Sequence, residues 1–271
     1  MVAAGGVLLS ARLLGWPGRS LAVHRGPFGD LPSALDALYE LAQSEGAWCL
    51  EVMPDASFDD ALKEAFSARN WQAVGPDRYT LRLDLTPDKD ALLAGFESRA
   101  RYQVRRGERE GTIVRPARNQ DDVANFCRLM SERDAEKSLA GTSYTHYSVV
   151  GNYLLANPSR GVVLLAERQG EVLGANLLWR SAFRVEYLYG TSRKQKVSVG
   201  YPLQWASIMW AKDIGATEYD FGGYNPNRNG GPALMKRAFC RNVVNLSPRW
   251  RRVSRPTFFT FAQKLRGWIK R

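Results

Sequence analysis

Apolar residues recur at helical spacing in some stretches and gather into short runs in others, and the switches between the two patterns outline the elements. In LPSALDALYELAQSEG, Leu31, Leu35, Leu38 and Ala42 share one helical face, and Gly46 is placed to end the helix. AWCLEVMP reads as a buried strand, SFDDALKEAFSARN as a helix capped by Ser57, and WQAV and YTLRLDL as strands. Ahead of them, residues 7–14 and 20–24 read as a hairpin around GWPGR. From Thr86 one long helix is expected, TPDKDALLAGFESRARYQVRRGEREG, with Leu92, Phe96, Ala100 and Val104 as its apolar stripe and Gly111 at its end. TIVRPA reads as a strand, followed by helices near 121–137 and 145–156. GVVLLAE, EVLGANLLW and FRVEYLYGTS, joined by RQG and RSA, form an antiparallel meander. PLQWASIMWAKDIG is a helix with Leu203, Ser207, Trp210, Ala211 and Ile214 inward, and it leads into the strand TEYDFGG, an Asn/Gly loop and a short basic helix. The last segment, PTFFTFAQKLRGWIKR, puts Phe258, Phe261, Ala262, Leu265 and Ile269 on one helical face and is expected to pack back on the first half.

Two of these regions repeat. LYELAQSEGAWCLEV aligns with SIMWAKDIGATEYDF, and KEAFSARNWQAVGPDR aligns with KRAFC-RNVVNLSPRW after a gap. The same helix, strand, helix, strand, strand order accompanies both copies, which points to a duplicated α/β unit with Lys63 as the counterpart of Lys236.

Composition narrows the class. The net charge of +11 suits a polyanionic partner such as RNA, a nucleotide diphosphate or an anionic membrane surface, without choosing among them. Three cysteines, Cys49, Cys127 and Cys240, show no paired spacing, so neither a disulfide framework nor a zinc site is indicated and a reducing cytoplasm fits. No segment has the length of uninterrupted apolar sequence that a spanning helix needs. Only His24 and His146 are present, and there is no Gly-x-Ser-x-Gly motif, so a serine hydrolase has no support.

The order meander, helix, strand, helix and two strands resembles the GNAT acetyltransferase fold, with GTSRKQKVSVGYP at the place of the donor loop and a helix N-terminus behind it. The pyrophosphate loop Q/R-x-x-G-x-G/A is absent from it. LDLTPDKDALLAGFESRARYQVRRGEREGTIV and GATEYDFGGYN…ALMKRAF resemble, in order and spacing, segments of the FemABX family, aminoacyl-tRNA-dependent transferases that add amino acids to peptidoglycan precursors. The resemblance implies an α/β (α+β) chain of two tandem GNAT-like subdomains with mixed, mainly antiparallel sheets. The first, residues 1–85 with 250–271, lacks the family's opening strand and helices. The second, residues 86–249, carries the catalytic cleft. It further implies a cytoplasmic enzyme that needs no cofactor, takes aminoacyl-tRNA as donor and a UDP-linked or lipid-linked muropeptide as acceptor, and can touch the inner membrane surface. An N-acyltransferase using acyl-CoA, and a non-catalytic RNA- or membrane-binding protein, are the competing readings.

The residues then fall into roles. Transfer from an activated ester to an amine needs alignment and stabilisation of an oxyanion, not a covalent enzyme intermediate. The family's Phe-Lys dipeptide falls on Met235-Lys236, which implies that Lys236 is the electrophilic stabiliser; a surface lysine is the bland reading. Asp220 either orients a substrate amine or caps the loop, and Gly222 and Gly223, with Asn225 beyond them, either admit a substrate to the backbone or make a plain turn. Arg99, Arg101, Arg105, Arg106 and Arg109 either meet RNA or diphosphate or pair with Glu97, Glu108 and Glu110 on a solvated helix. Tyr187, Tyr189 and Tyr201 surround the donor loop as substrate contacts or as core.

Overall fold

The computed structural model describes residues 7–12, 19–27, 29–136, 143–228 and 230–254. The chain begins with β1 (Val7–Arg12), β2 (Arg19–His24), α1 (Leu31–Ser44), β3 (Ala47–Met53), α2 (Asp60–Ser67), β4 (Gln72–Val74) and β5 (Arg78–Asp84). It continues through α3 (Lys89–Gly95), α4 (Ser98–Arg109), β6 (Ile113–Pro116), α5 (Gln120–Glu136) and α6 (Tyr144–Ala156). The meander β7 (Gly161–Arg168), β8 (Glu171–Ser181) and β9 (Arg184–Ser192) leads to α7 (Gly200–Asp213), β10 (Glu218–Tyr224), α8 (Gly231–Phe239), β11 (Val243–Leu246) and β12 (Arg249–Val253). The GWPGR turn lies largely, and the expected C-terminal helix in PTFFTFAQKLRGWIKR wholly, outside the described residues.

Two compact units result, one running to Tyr79 and resuming at Val244, the other spanning Thr80–Val243. The first is built on a five-stranded sheet in the order β1-β2-β3-β12-β4, the second on a seven-stranded sheet in the order β11-β5-β10-β9-β8-β7-β6. Both are mixed: β2–β3 and β9–β10 are parallel, while the other pairs with a recorded register are antiparallel. The tandem GNAT-like, mixed α/β architecture expected from the resemblance is the one observed. Each copy of the repeat also gives up its last strand. β5 follows β4 in the chain yet lies between β11 and β10, and β12 follows β11 yet lies between β3 and β4.

The first core packs α1 and α2 on one sheet face. Phe66 lies flat on Trp250 at 4.5 Å with 6° between the rings, and Trp71 meets Phe66 edge-on at 5.6 Å. α2 is capped by Asp59, whose carboxylate accepts from Leu62 N–H at 2.8 Å. Ser57, expected at that position, is drawn instead into an isolated bridge with Leu246.

In the second unit, Leu92, Phe96, Ala100 and Val104 are buried as their stripe requires. They lie on two helices, not one. Phe96 turns extended after α3, with ψ 157°, because its ring is driven into a pocket against Trp205 at 5.5 Å and Phe239 at 5.0 Å. α7 is buried on nearly every side, Gln204, Trp205 and Ile208 included, so its one-faced pattern understated its centrality. Among the described residues no helix is long and apolar enough to cross a membrane.

Candidate functional site

Two local irregularities open the second sheet. The β8–β9 register shifts between Leu177 and Leu178, which face Tyr189 and Tyr187 respectively, so Leu188 is the extra residue of a bulge. Because cross-strand partners share a face, and Leu177 and Leu178 point to opposite faces, the bulge sends Tyr187 and Tyr189 to opposite sides. The parallel pairing of β9 with β10 covers only Arg184–Glu186 against Glu218–Asp220, and beyond it the strands diverge as a fork. Gly222 permits this divergence. Its φ of +69° belongs to the left-handed region, and an added Cβ would stand 2.7 Å from the Tyr187 carbonyl oxygen.

The fork opens beside a cavity of about 880 Å³ lined by residues of α4, α5, β8, β9, the 191–198 loop, the start of α7 and the start of α8. α4 and α7 come close enough to enclose it because Gly107 has no side chain: a Cβ there would lie 2.2 Å from Pro202 Cγ. Ser198, Gly200 and Tyr201 bring the N-terminus of α7 to the wall. That helix has no side-chain cap among its own N-cap atoms, although Ser198 Oγ accepts from Gly200 N–H at 3.2 Å. First-turn N–H groups beside Arg99 and Lys196 suit an anionic group such as a phosphate.

Lys236 sits at the fork. From α8 its ammonium donates to the Gly223 carbonyl on β10 at 2.9 Å and lies 5.3 Å from the Tyr187 ring centre on β9. Burial pulls its pKa down to about 8, against the opposing pull of Asp220. Asp220 is 2 % exposed and fully engaged: it accepts from Gly222 N–H at 2.7 Å, from Arg82 Nε at 3.1 Å and from the Thr80 hydroxyl. It therefore acts on Lys236 through its field, from beneath the fork.

Of the other residues singled out by sequence, Arg99, Tyr187 and Tyr201 line the cavity. Burial pushes the Tyr187 phenol up to about 12 and raises that of Tyr201, where Arg99 acts in the opposite direction. Tyr189 is turned away by the bulge and meets His146 Nε2 at 3.0 Å and the Tyr147 ring at 5.2 Å. Asn225 is exposed and builds its own turn, accepting from Asn227 N–H at 2.9 Å. Gly223 lies in open space and contributes its carbonyl to Lys236.

The arginines of α4 divide. Arg99 faces the cavity, Arg101 turns back to the Ala94 and Phe96 carbonyls, Arg105 and Arg109 are exposed, and Arg106 is half-buried. No single basic stripe forms, because these positions fall on different sides of the helix.

Sequence reading missed Asn176 and Gln204, both buried and both lining the cavity. The signal was present: each is a polar residue inside an otherwise apolar run, ANLLW and PLQWAS. It also missed a second hollow of about 500 Å³ lined by Glu97, Tyr224, Pro226, Arg237, Arg241 and Val243, on which Arg241 pairs with Glu97 at 3.0 Å.

A family model described as the acetyltransferase (GNAT) domain matches residues 94–229. No curated protein matches the sequence. Among solved structures, FemX is similar with a TM-score of 0.81 at 16% identity, over 94% of this chain and 86% of that one. The C-terminal domain of a protein described as a lysylphosphatidylglycerol synthetase from Agrobacterium fabrum is similar with a TM-score of 0.63 at 15% identity, over 91% and 80%. A tandem GNAT protein from the clavulanic acid biosynthesis pathway gives 0.56 at 13%, over 92% and 78%. At these identities the likeness is one of fold. The family model spans half of the chain and contains α4, the meander, the fork and most of the cavity wall, so the protein belongs to the acetyltransferase (GNAT) domain family and is an acyl- or aminoacyl-transferring enzyme.

Proposed function

We propose that the protein moves an amino acid from aminoacyl-tRNA to an amine of a peptidoglycan precursor, UDP-linked or lipid-linked. The observation that carries this reading is the Lys236 ammonium, held across the fork by Gly223 on one strand and Tyr187 on the other. The acceptor amine attacks the ester carbonyl, a C–N bond forms, the C–O bond to the terminal ribose breaks, and the amine's proton leaves with the ribose oxygen. Lys236 meets the oxyanion of the tetrahedral intermediate in a partly desolvated site, where a fixed cation acts more strongly than in water. The cavity receives the 3′ end of the donor, with its phosphates against Arg99, Lys196 and the start of α7. No cofactor takes part. The enzyme works in the cytoplasm, at the inner membrane face where the acceptor is lipid-linked. The FemX-like fold over nearly the whole chain supports the aminoacyl donor.

One observation favours a second donor. A helix start whose N-cap residue lends no side chain, beside a forked sheet, also suits the diphosphate of acyl-CoA, which would make the protein an N-acyltransferase on a sugar or peptide amine. The test is transfer of radiolabelled amino acid from charged tRNA to UDP-muropeptide or to its lipid-linked form. Transfer that is lost in a folded Lys236→Ala variant is the expected result. Transfer from acyl-CoA alone, or full activity without Lys236, would overturn the reading.

A further inference from the structure

The cavity floor is polar where the surrounding sequence is apolar. Asn176 on β8 and Gln204 on α7 are 3% and 1% exposed, and both line the cavity. The orientation of the Asn176 amide follows from the hydrogen bonds behind it. Ser207 donates its hydroxyl proton to the Leu203 carbonyl at 2.8 Å, so toward Asn176 its oxygen can only accept, and Asn176 Nδ2 donates to it at 3.0 Å. Gln204 Nε2 donates to the Tyr219 hydroxyl at 2.7 Å, and Ser207 also acts on that phenol. The Asn176 nitrogen is thus committed inward, and the Gln204 nitrogen is placed inward on the Tyr219 hydroxyl.

Both carbonyl oxygens are left over, Asn176 Oδ1 and Gln204 Oε1, without a hydrogen-bonding partner among the described residues. Asn176 Oδ1 and the Tyr187 hydroxyl both stand close to Gly190, where an added Cβ would lie 2.4 and 2.2 Å from them. Neither oxygen is sealed inside the protein, and two acceptors on the floor of one cavity suit a ligand rich in N–H.

We infer that Asn176 and Gln204 form a subsite that accepts hydrogen bonds from the α-ammonium of the transferred group, so that the enzyme selects aminoacyl over plain acyl donors. The inference rests on the transfer reaction proposed above and names the feature of the donor that the site reads. Arg99, Lys196 and the α7 start face the anionic carrier, whereas the floor offers the two amide carbonyls beside the Tyr187 hydroxyl and Arg133, whose guanidinium donates to the Gly190 carbonyl at 3.3 Å. A propionyl group would set apolar carbon against both carbonyls; an alanyl group of the same skeleton satisfies them.

The experiment compares alanyl with propionyl, each carried on tRNA and on CoA, with seryl as a second aminoacyl group. Which carrier is accepted decides the proposed function; the alanyl-to-propionyl ratio on that carrier decides this inference. Wild type should favour alanyl by on the order of 100-fold or more, since a site built to bond a polar group rejects the analogue that lacks it. Gln204→Met, which keeps side-chain length, and Asn176→Leu should each lower the ratio by about 10- to 100-fold. Ser207→Ala, which touches no substrate but frees the Asn176 amide to turn, should lower it less. Equal use of alanyl and propionyl by wild type, an undiminished ratio in a folded Gln204→Met protein, or transfer of neither group from either carrier would overturn the inference.

Discussion

The two copies of the repeat share their elements but not their edges. In the first, β3 pairs with β2 from Ala47 to Met53, with one register shift that leaves out Trp48, and the two strands do not part. In the second, β10 leaves β9 after Asp220, and the divergence holds Lys236 above a cavity. The counterpart Lys63 on α2 is exposed. The repeat therefore supplies a helix, a strand and a lysine twice, and the second copy differs by the early parting of β9 from β10, with a bulge at Leu188 and a left-handed glycine at 222 beside it. Under the proposed function, the lysine at this place in the repeat does chemistry only where the parted strands leave its charge partly desolvated.

The largest expected effect separates the two lysines. Lys236→Met should lower the rate of transfer by about 100- to 1,000-fold, the loss typical of one oxyanion-stabilising donor. Lys63→Met should leave it unchanged, both read by single-turnover transfer. Stability should move the other way for Lys236. Its folded pKa of about 8 lies below the ordinary lysine value of 10.5, so the unfolded chain binds more protons between these limits and stability rises with pH across that window. Thermal denaturation at neutral pH should show Lys236→Met at least as stable as wild type, because the substitution removes a buried charge.

Next comes the fork itself. Gly222→Ala forces a Cβ against the Tyr187 carbonyl in a left-handed conformation and should cost roughly 1–3 kcal/mol together with on the order of 100-fold in transfer. Gly46→Ala in the first copy, with φ of +64° and open space around it, should cost about 1 kcal/mol and leave transfer intact. Denaturant midpoints and rates measured on both variants check the contrast.

The smallest effects divide the arginines of α4. Arg99→Ala should weaken donor binding and reduce its salt slope by about one, as for a phosphate contact. Arg101→Ala should leave the slope alone and loosen the α3–α4 junction, whose carbonyls it binds. Donor affinity measured across a salt series distinguishes them.

The elements legible in the sequence were those written locally. The meander, α7, α8 and the repeat follow from periodicity and turn residues, and the stripe Leu92, Phe96, Ala100 and Val104 is buried as read. What escaped is written between distant segments. The helix break at Phe96 is set by Trp205 and Phe239, and the exchange of β5 and β12 is set by pairing partners far away in the chain. The bulge at Leu188 has no local mark, so Tyr187 and Tyr189 looked equivalent two residues apart and are not. Lys236 stood out by family resemblance alone; its burial and its perch on Gly223 needed the fold. Asn176 and Gln204 were visible as polar breaks in apolar runs and were passed over.

The central claim is that the Lys236 charge at the fork drives transfer, and its titration tests this most directly. Single-turnover rates should fall as pH rises through about 8, where Lys236 loses its proton. In Lys236→Cys treated with bromoethylamine, which rebuilds a lysine-like side chain with a more acidic amine, the fall should return and move to lower pH. Identically treated wild type is the control for the cysteines Cys49, Cys127 and Cys240, which are buried. A descending limb that stays in place when the amine at position 236 is made more acidic, or that survives in Lys236→Met, would contradict the account.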